Sequence, residues 1–71
     1  MMEPKLLDVV ALTEDVPDYA LKRGQVGTVV EILSPDAYEV EFVDRDGQTY
    51  AMLPLYARQL LVLAYEPAMA A

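Results

Sequence analysis

Side chains able to do covalent or acid–base chemistry are few in this chain, and carboxylates dominate them. There is no histidine and no cysteine, and Ser34 is the single serine beside Thr13, Thr28 and Thr49. Nucleophile-plus-base schemes therefore lack their usual base. A zinc site built on cysteine or histidine is closed for the same reason. Chemistry by carboxylates alone needs two acids converging on a cleft, and a domain of this size leaves little room for one. The residues thus point to no catalytic position, no metal site and no cofactor, and to a protein that is not an enzyme.

The carboxylates have a different use. Twelve acidic residues stand against five basic ones, giving a net charge of −7. A nucleic-acid binder needs Lys and Arg to displace counterions from phosphates, so nucleic acid and anionic membrane surfaces are disfavoured and a basic protein partner is favoured. The plainer alternative is that the charge only keeps the chain soluble. Asp44-x-Asp46-Gly47 has the opening of a calcium loop, but that loop needs Gly at its sixth position and Glu at its twelfth. Counting from Asp44, those positions hold Thr49 and Leu55. A type I turn with a glycine bulge accounts for the same residues.

The elements that position these groups are short apolar runs between turn residues, the pattern of a small barrel or sandwich. The runs are 6–12, 25–33, 37–43, 48–53 and 60–63, with a polar loop over 13–22 and one irregular or 3₁₀ turn over 54–59. No window shows a capped helical period. The expected fold is all-β, a small five-stranded SH3-like barrel with one 3₁₀ turn before the last strand. Residues 1–5 read as an N-terminal extension, 6–63 as the barrel domain, and 64–71 as a flexible tail that frays. The N-terminal apolar run is broken by Asp8 and is too short for a signal or a bilayer span, and the cytoplasm is the default compartment.

In the third run Tyr38, Val40 and Phe42 share one face, with Glu39 and Glu41 on the other. If Val26, Thr28, Val30 and Ile32 also face inward, Ile32 meets Tyr38 and Val30 meets Val40. A connection of three or five residues around Ser34-Pro35-Asp36 gives that register, whereas two residues would pair Ile32 with Glu39. The outer face then sets Glu31 against Glu39 and Val29 against Glu41. Glu31, Glu39, Glu41, Asp44 and Asp46 are the expected acidic docking strip, with Tyr19, Tyr50 and Tyr56 as aromatic anchors. The competing reading is a solvated hairpin face that blocks aggregation. An edge strand at 60–63 is the expected route to a homodimer.

Lys22-Arg23-Gly24-Gln25-Val26-Gly27-Thr28-Val29-Val30 resembles the KOW-type turn of SH3-like barrels in ribosomal and transcription proteins. The resemblance implies barrel geometry, with RNA binding resting only on Lys22 and Arg23. Leu53-Pro54-Leu55-Tyr56-Ala57-Arg58-Gln59-Leu60 looks like the Pro-to-Tyr 3₁₀ turn of Src-type SH3 domains. Tyr56 follows Pro54 by two positions rather than three, and the groove tryptophan is missing. From Leu6 to Val62, LLDVVALTEDVP, LKRGQVGTVVE, AYEVEFVDRDGQTYA and QLLVL together resemble an uncharacterised bacterial family of short domains of unknown function. That resemblance implies an SH3-like barrel without known catalytic residues, and genes of this kind resemble the small partners found beside toxin-like genes. The expected function is a non-catalytic interaction module, antitoxin- or immunity-like toward a basic partner. An accessory barrel using outward Val29 and Leu33 and the barrel ends in a larger assembly is the alternative, with RNA binding third.

Overall fold

Alternation of branched or aromatic residues with glutamates over residues 37–43 makes a strand with one dry face and one wet face, and the remaining elements are arranged around it. The computed structural model describes residues 3–63. The whole 64–71 tail expected to fray, and residues 1–2 of the extension, lie outside the described residues. Five antiparallel strands form one sheet: β1 (Val9–Leu12), β2 (Val26–Ser34), β3 (Ala37–Val43), β4 (Thr49–Tyr56) and β5 (Leu60–Val62). Their order is β4-β3-β2-β1-β5, so β4 and β5 are the two edges. The all-β, five-stranded architecture and the 3₁₀ turn before the last strand (Ala57–Gln59) agree with expectation. A second 3₁₀ turn, Pro17–Tyr19, sits in the polar loop that carried no such signal beyond Pro17 at its first position.

The core is Val10, Leu12, Leu21, Val29, Tyr38, Val40, Phe42, Leu53, Leu55 and Leu60. Tyr38 is buried yet satisfied, because its hydroxyl donates to the Pro35 carbonyl at 3.3 Å. On β2 the inward residues are Gly27 and Val29, not the expected Val26, Thr28, Val30 and Ile32; Val26 and Ile32 are half exposed. Two features cause this. Gly27 has no side chain, so Val40 and Phe42 pack directly onto its backbone: a Cβ there would lie 2.8 Å from Val40 Cγ1 and 3.0 Å from Phe42 Cδ2. A bulge at Val30 then adds one residue to β2, so Val29 pairs with Val40 and the next pair is Glu31 with Glu39.

The hairpin at Ser34 also differs in detail. Ile32 does pair with Tyr38, but Ser34 pairs with Ala37 across a two-residue turn, Pro35-Asp36, and a second irregularity at Leu33 restores the register. Counting loop residues misses this because a bulge changes strand parity without lengthening the turn. The expected irregular turn over 54–59 is likewise shorter. β4 continues through Pro54 to Tyr56, which an edge strand allows when the proline nitrogen faces away from the ladder.

Two glycines set the turns. Gly24 has φ +93° and its N–H donates to the Leu12 carbonyl at 2.8 Å, closing the KOW-like turn against β1. Gly47 has φ +81° in the β3–β4 hairpin, where its N–H donates to the Asp44 carbonyl at 3.0 Å. That is the type I turn with a glycine bulge read from the sequence.

Candidate functional site

Cross-strand pairing on the outer face of β2, β3 and β4 builds the site. Glu31 stands opposite Glu39, and Glu39 opposite Pro54. Side chains directly across a ladder lie close on one face, so two carboxylates share that row. One row further along, Thr28 stands opposite Glu41 and Glu41 opposite Met52. The expected Val29–Glu41 neighbour pair is therefore replaced by Thr28–Glu41, and Val29 is fully buried rather than outward. The bulge at Val30 is again the reason.

The five expected carboxylates do not act alike. Glu31 is exposed and Glu39 half-buried on the sheet face. The Glu41 carboxylate accepts a hydrogen bond from the Thr49 hydroxyl and is partly used within the sheet. Asp44 Oδ1 accepts the Asp46 N–H at 2.8 Å and the Gln48 N–H at 3.0 Å, so this side chain organises the hairpin. Asp46 is exposed at the hairpin tip. Among the described residues the one ion pair joins Arg58 to Glu14 at 3.9 Å. Glu31 and Glu39 have no ion-pair partner there.

The three tyrosines are not brought together. Tyr50 lies tilted against Phe42, ring centroids 6.3 Å apart, and its hydroxyl accepts from Gln25 Nε2 at 3.0 Å. Tyr56, six residues along β4, is about 20 Å away at the usual strand rise. Tyr19 is half exposed on the Pro17–Tyr19 turn. Only Tyr56 borders the glutamate pair: it follows Pro54 by two positions on the same face and stands opposite Ala37.

Around Tyr56 the chain is well tied. Arg58 lies over its ring at 5.4 Å from the centroid. The Tyr56 N–H donates to Gln59 Oε1 at 2.9 Å, Gln59 Nε2 donates to Glu14 Oε2 at 3.1 Å, and the Thr13 hydroxyl donates to the Arg58 carbonyl at 2.9 Å. A concavity of about 480 Å³ is lined by Asp36, Tyr56, Ala57 and Arg58. A second of about 130 Å³ is lined by Ala37, Pro54, Leu55 and Tyr56. Sequence reasoning missed Asp36 as a neighbour of Tyr56, since it reads as a turn residue; Pro54 and Tyr56, paired in the resemblance to the SH3 turn, do line one concavity, but from one face of a strand rather than from a 3₁₀ turn.

A family model described as Domain of unknown function (DUF4926) matches residues 6–62. The chain belongs to this family. The matched span of the DUF4926 domain runs from the turn before β1 to the end of β5 and so includes every strand. No curated protein and no solved structure matches the chain. Among the described residues no helix is long and apolar enough to cross a membrane.

Proposed function

We propose that this domain is a non-catalytic protein-interaction module whose Glu31–Glu39 face docks a partner with a basic surface. One observation carries the reading: two glutamates are set opposite each other across the β2–β3 ladder without an ion-pair partner among the described residues. Like charges placed so destabilise a ladder, and a Lys or Arg from a partner would turn that repulsion into attraction. Tyr56 and the concavities beside it supply the apolar anchor next to the charges. The net charge of −7 adds long-range attraction for the same class of partner and speeds encounter.

The specific role we assign is inhibition of that basic partner, in the manner of an antitoxin or immunity protein in the bacterial cytoplasm. The supporting scaffold reads as an SH3-like barrel, because β5 lies beside β1 while β2, β3 and β4 form a meander. The accessory-subunit alternative loses Val29 from its proposed surface, because that residue is buried. RNA binding through Lys22 and Arg23 is opposed by the overall charge. An affinity capture from the native host, with the wild-type chain and a Glu31→Lys/Glu39→Lys variant side by side, tests the proposal. A basic protein held by the wild type and released by the variant is the expected result. Equal capture by both would remove the glutamate pair from the interface.

A further inference from the structure

β4 is an edge of the sheet, and its eight residues, Thr49–Tyr56, read TYAMLPLY. No Asp, Glu, Lys or Arg stands in that strand, although the chain is 24% charged. A long uncharged strand on an open edge is a template for strand addition by another chain. Charge is the common guard against this, and β4 lacks it. Its backbone supplies another. The Ala57 N–H donates to the Asp36 carbonyl at 3.0 Å, next to the Ala37–Tyr56 pair. Backbone groups alternate sides along a strand, so Ala51, Leu53 and Leu55 turn theirs toward β3, and Met52, Pro54 and Tyr56 turn theirs outward. Pro54 has no N–H to offer. The Tyr56 N–H is spent on Gln59 Oε1 at 2.9 Å, and Gln59 is held in turn by Glu14. Among the described residues, the Met52 N–H is left as the one outward donor of the three.

We infer that Pro54 and Gln59 are edge guards: the first removes and the second occupies a donor that an added strand would need, so β4 accepts no strand from a second copy or from a partner. A strand laid along Met52–Tyr56 would find acceptors but two of its three donors gone, and its own carbonyls would lose water without gaining a bond. The opposite edge is shorter and similarly spent. The Leu63 N–H donates to the Val9 carbonyl at 2.9 Å, so Leu61 faces β1 and Leu60 faces out. The Leu60 N–H is taken by the Ala57 carbonyl, and β5 has only three residues. The homodimer expected through residues 60–63 meets the same obstacle as one through β4. Gln59 thus has a second use besides tying the Tyr56 turn to Glu14, and Pro54 marks a closed edge rather than a break in the strand.

Pro54→Val/Gln59→Ala restores both donors and tests the inference. Sedimentation equilibrium of the full chain is run in about 1 M salt, so that repulsion between copies is screened, with amide hydrogen exchange read residue by residue. The double variant should self-associate about tenfold or more tightly than the wild type, the gain of two recovered backbone hydrogen bonds, and protection should appear at the amides of positions 52, 54 and 56. Adding Met52→Lys places a charge on the same edge and should reverse the association. In the wild type the Met52 N–H should exchange freely while the Tyr56 N–H is protected, and Gln59→Ala alone should speed exchange at Tyr56 by about tenfold. This second readout decides the matter if the Pro54 variants do not fold. A folded double variant that associates no more than the wild type, a wild-type Met52 N–H protected by association, or a Tyr56 N–H as open as that of Met52 would overturn the inference.

Discussion

A methyl group on Gly27 should destabilise the domain, and by an amount the structure sets. The added carbon would meet Val40 Cγ1 at 2.8 Å, the Glu41 carbonyl oxygen at 2.9 Å and Phe42 Cδ2 at 3.0 Å. Two of these are core side chains with little free space. The third is backbone of β3, which pairs with β2 on one side and β4 on the other and cannot easily retreat. Crowding of this kind costs about 1–3 kcal/mol. Gly27 has no positive φ, so alanine also gains about 0.4–1 kcal/mol from a less flexible unfolded chain. With both terms near mid-range the net loss is about 1.3 kcal/mol, or a drop of about 5–10 °C in Tm for a domain of this size. Against a total stability of roughly 4–11 kcal/mol for a chain of this length, that is a large share. Thermal unfolding followed by circular dichroism reads it directly, with Gly24→Asn as comparator. A Cβ at Gly24 meets nothing within 4 Å but sits at φ +93°, so Gly24→Asn should lose only backbone strain, least for asparagine among L residues, without the crowding. A Gly27→Ala variant melting at or above the wild type would refute the packing of β3 over Gly27, and with it the register that places Thr28 opposite Glu41.

Three further substitutions follow from the same structure. Asp44→Ala removes both bonds to Oδ1 and should cost about 1–2 kcal/mol, read as a lower urea midpoint; an unchanged midpoint would return Asp44 to the list of free docking carboxylates. Leu7 has φ +71° with its side chain 68% exposed, so Leu7→Asn should relieve about 1 kcal/mol of left-handed strain and raise Tm, whereas a fall would mean the exposed leucine contributes packing. Glu31→Lys sets opposite charges across the β2–β3 ladder and should stabilise the isolated domain by a few tenths to about 1 kcal/mol, an effect that shrinks as salt is added; a salt-independent change would have another cause.

How much of this is legible in the residues depends on contrast. The Tyr38–Phe42 alternation reads cleanly because every second residue of β3 is a glutamate or aliphatic of opposite character, and Asp44-Arg45-Asp46-Gly47 announces its turn through a glycine that needs positive φ. β2 is different. Val26-Gly27-Thr28-Val29-Val30 is nearly apolar throughout, so a period of two leaves no mark, and the expected inward face has the opposite parity to the Gly27 and Val29 face that is buried. Gly27 reads as a sharp bend or a close approach of another backbone, and the structure shows the close approach: the Glu41 carbonyl and the Val40 and Phe42 side chains of β3 sit over it. The bulge at Val30 has no local signature, yet it decides which residue stands opposite Glu41. Glu31–Glu39 and Ile32–Tyr38 are readable all the same, because both lie on the hairpin side of that bulge. The separation of Tyr50 from Tyr56 follows once β4 is known to run through Pro54, which the proline itself conceals.

The most direct test of the glutamate pair as a docking contact is the salt dependence of binding to the captured basic partner, measured by calorimetry for the wild type and for Glu31→Gln/Glu39→Gln. The wild type should bind more weakly as ionic strength rises, and the double variant should bind weakly at every salt concentration with a flatter slope. Identical affinities and identical slopes for the two proteins would contradict it.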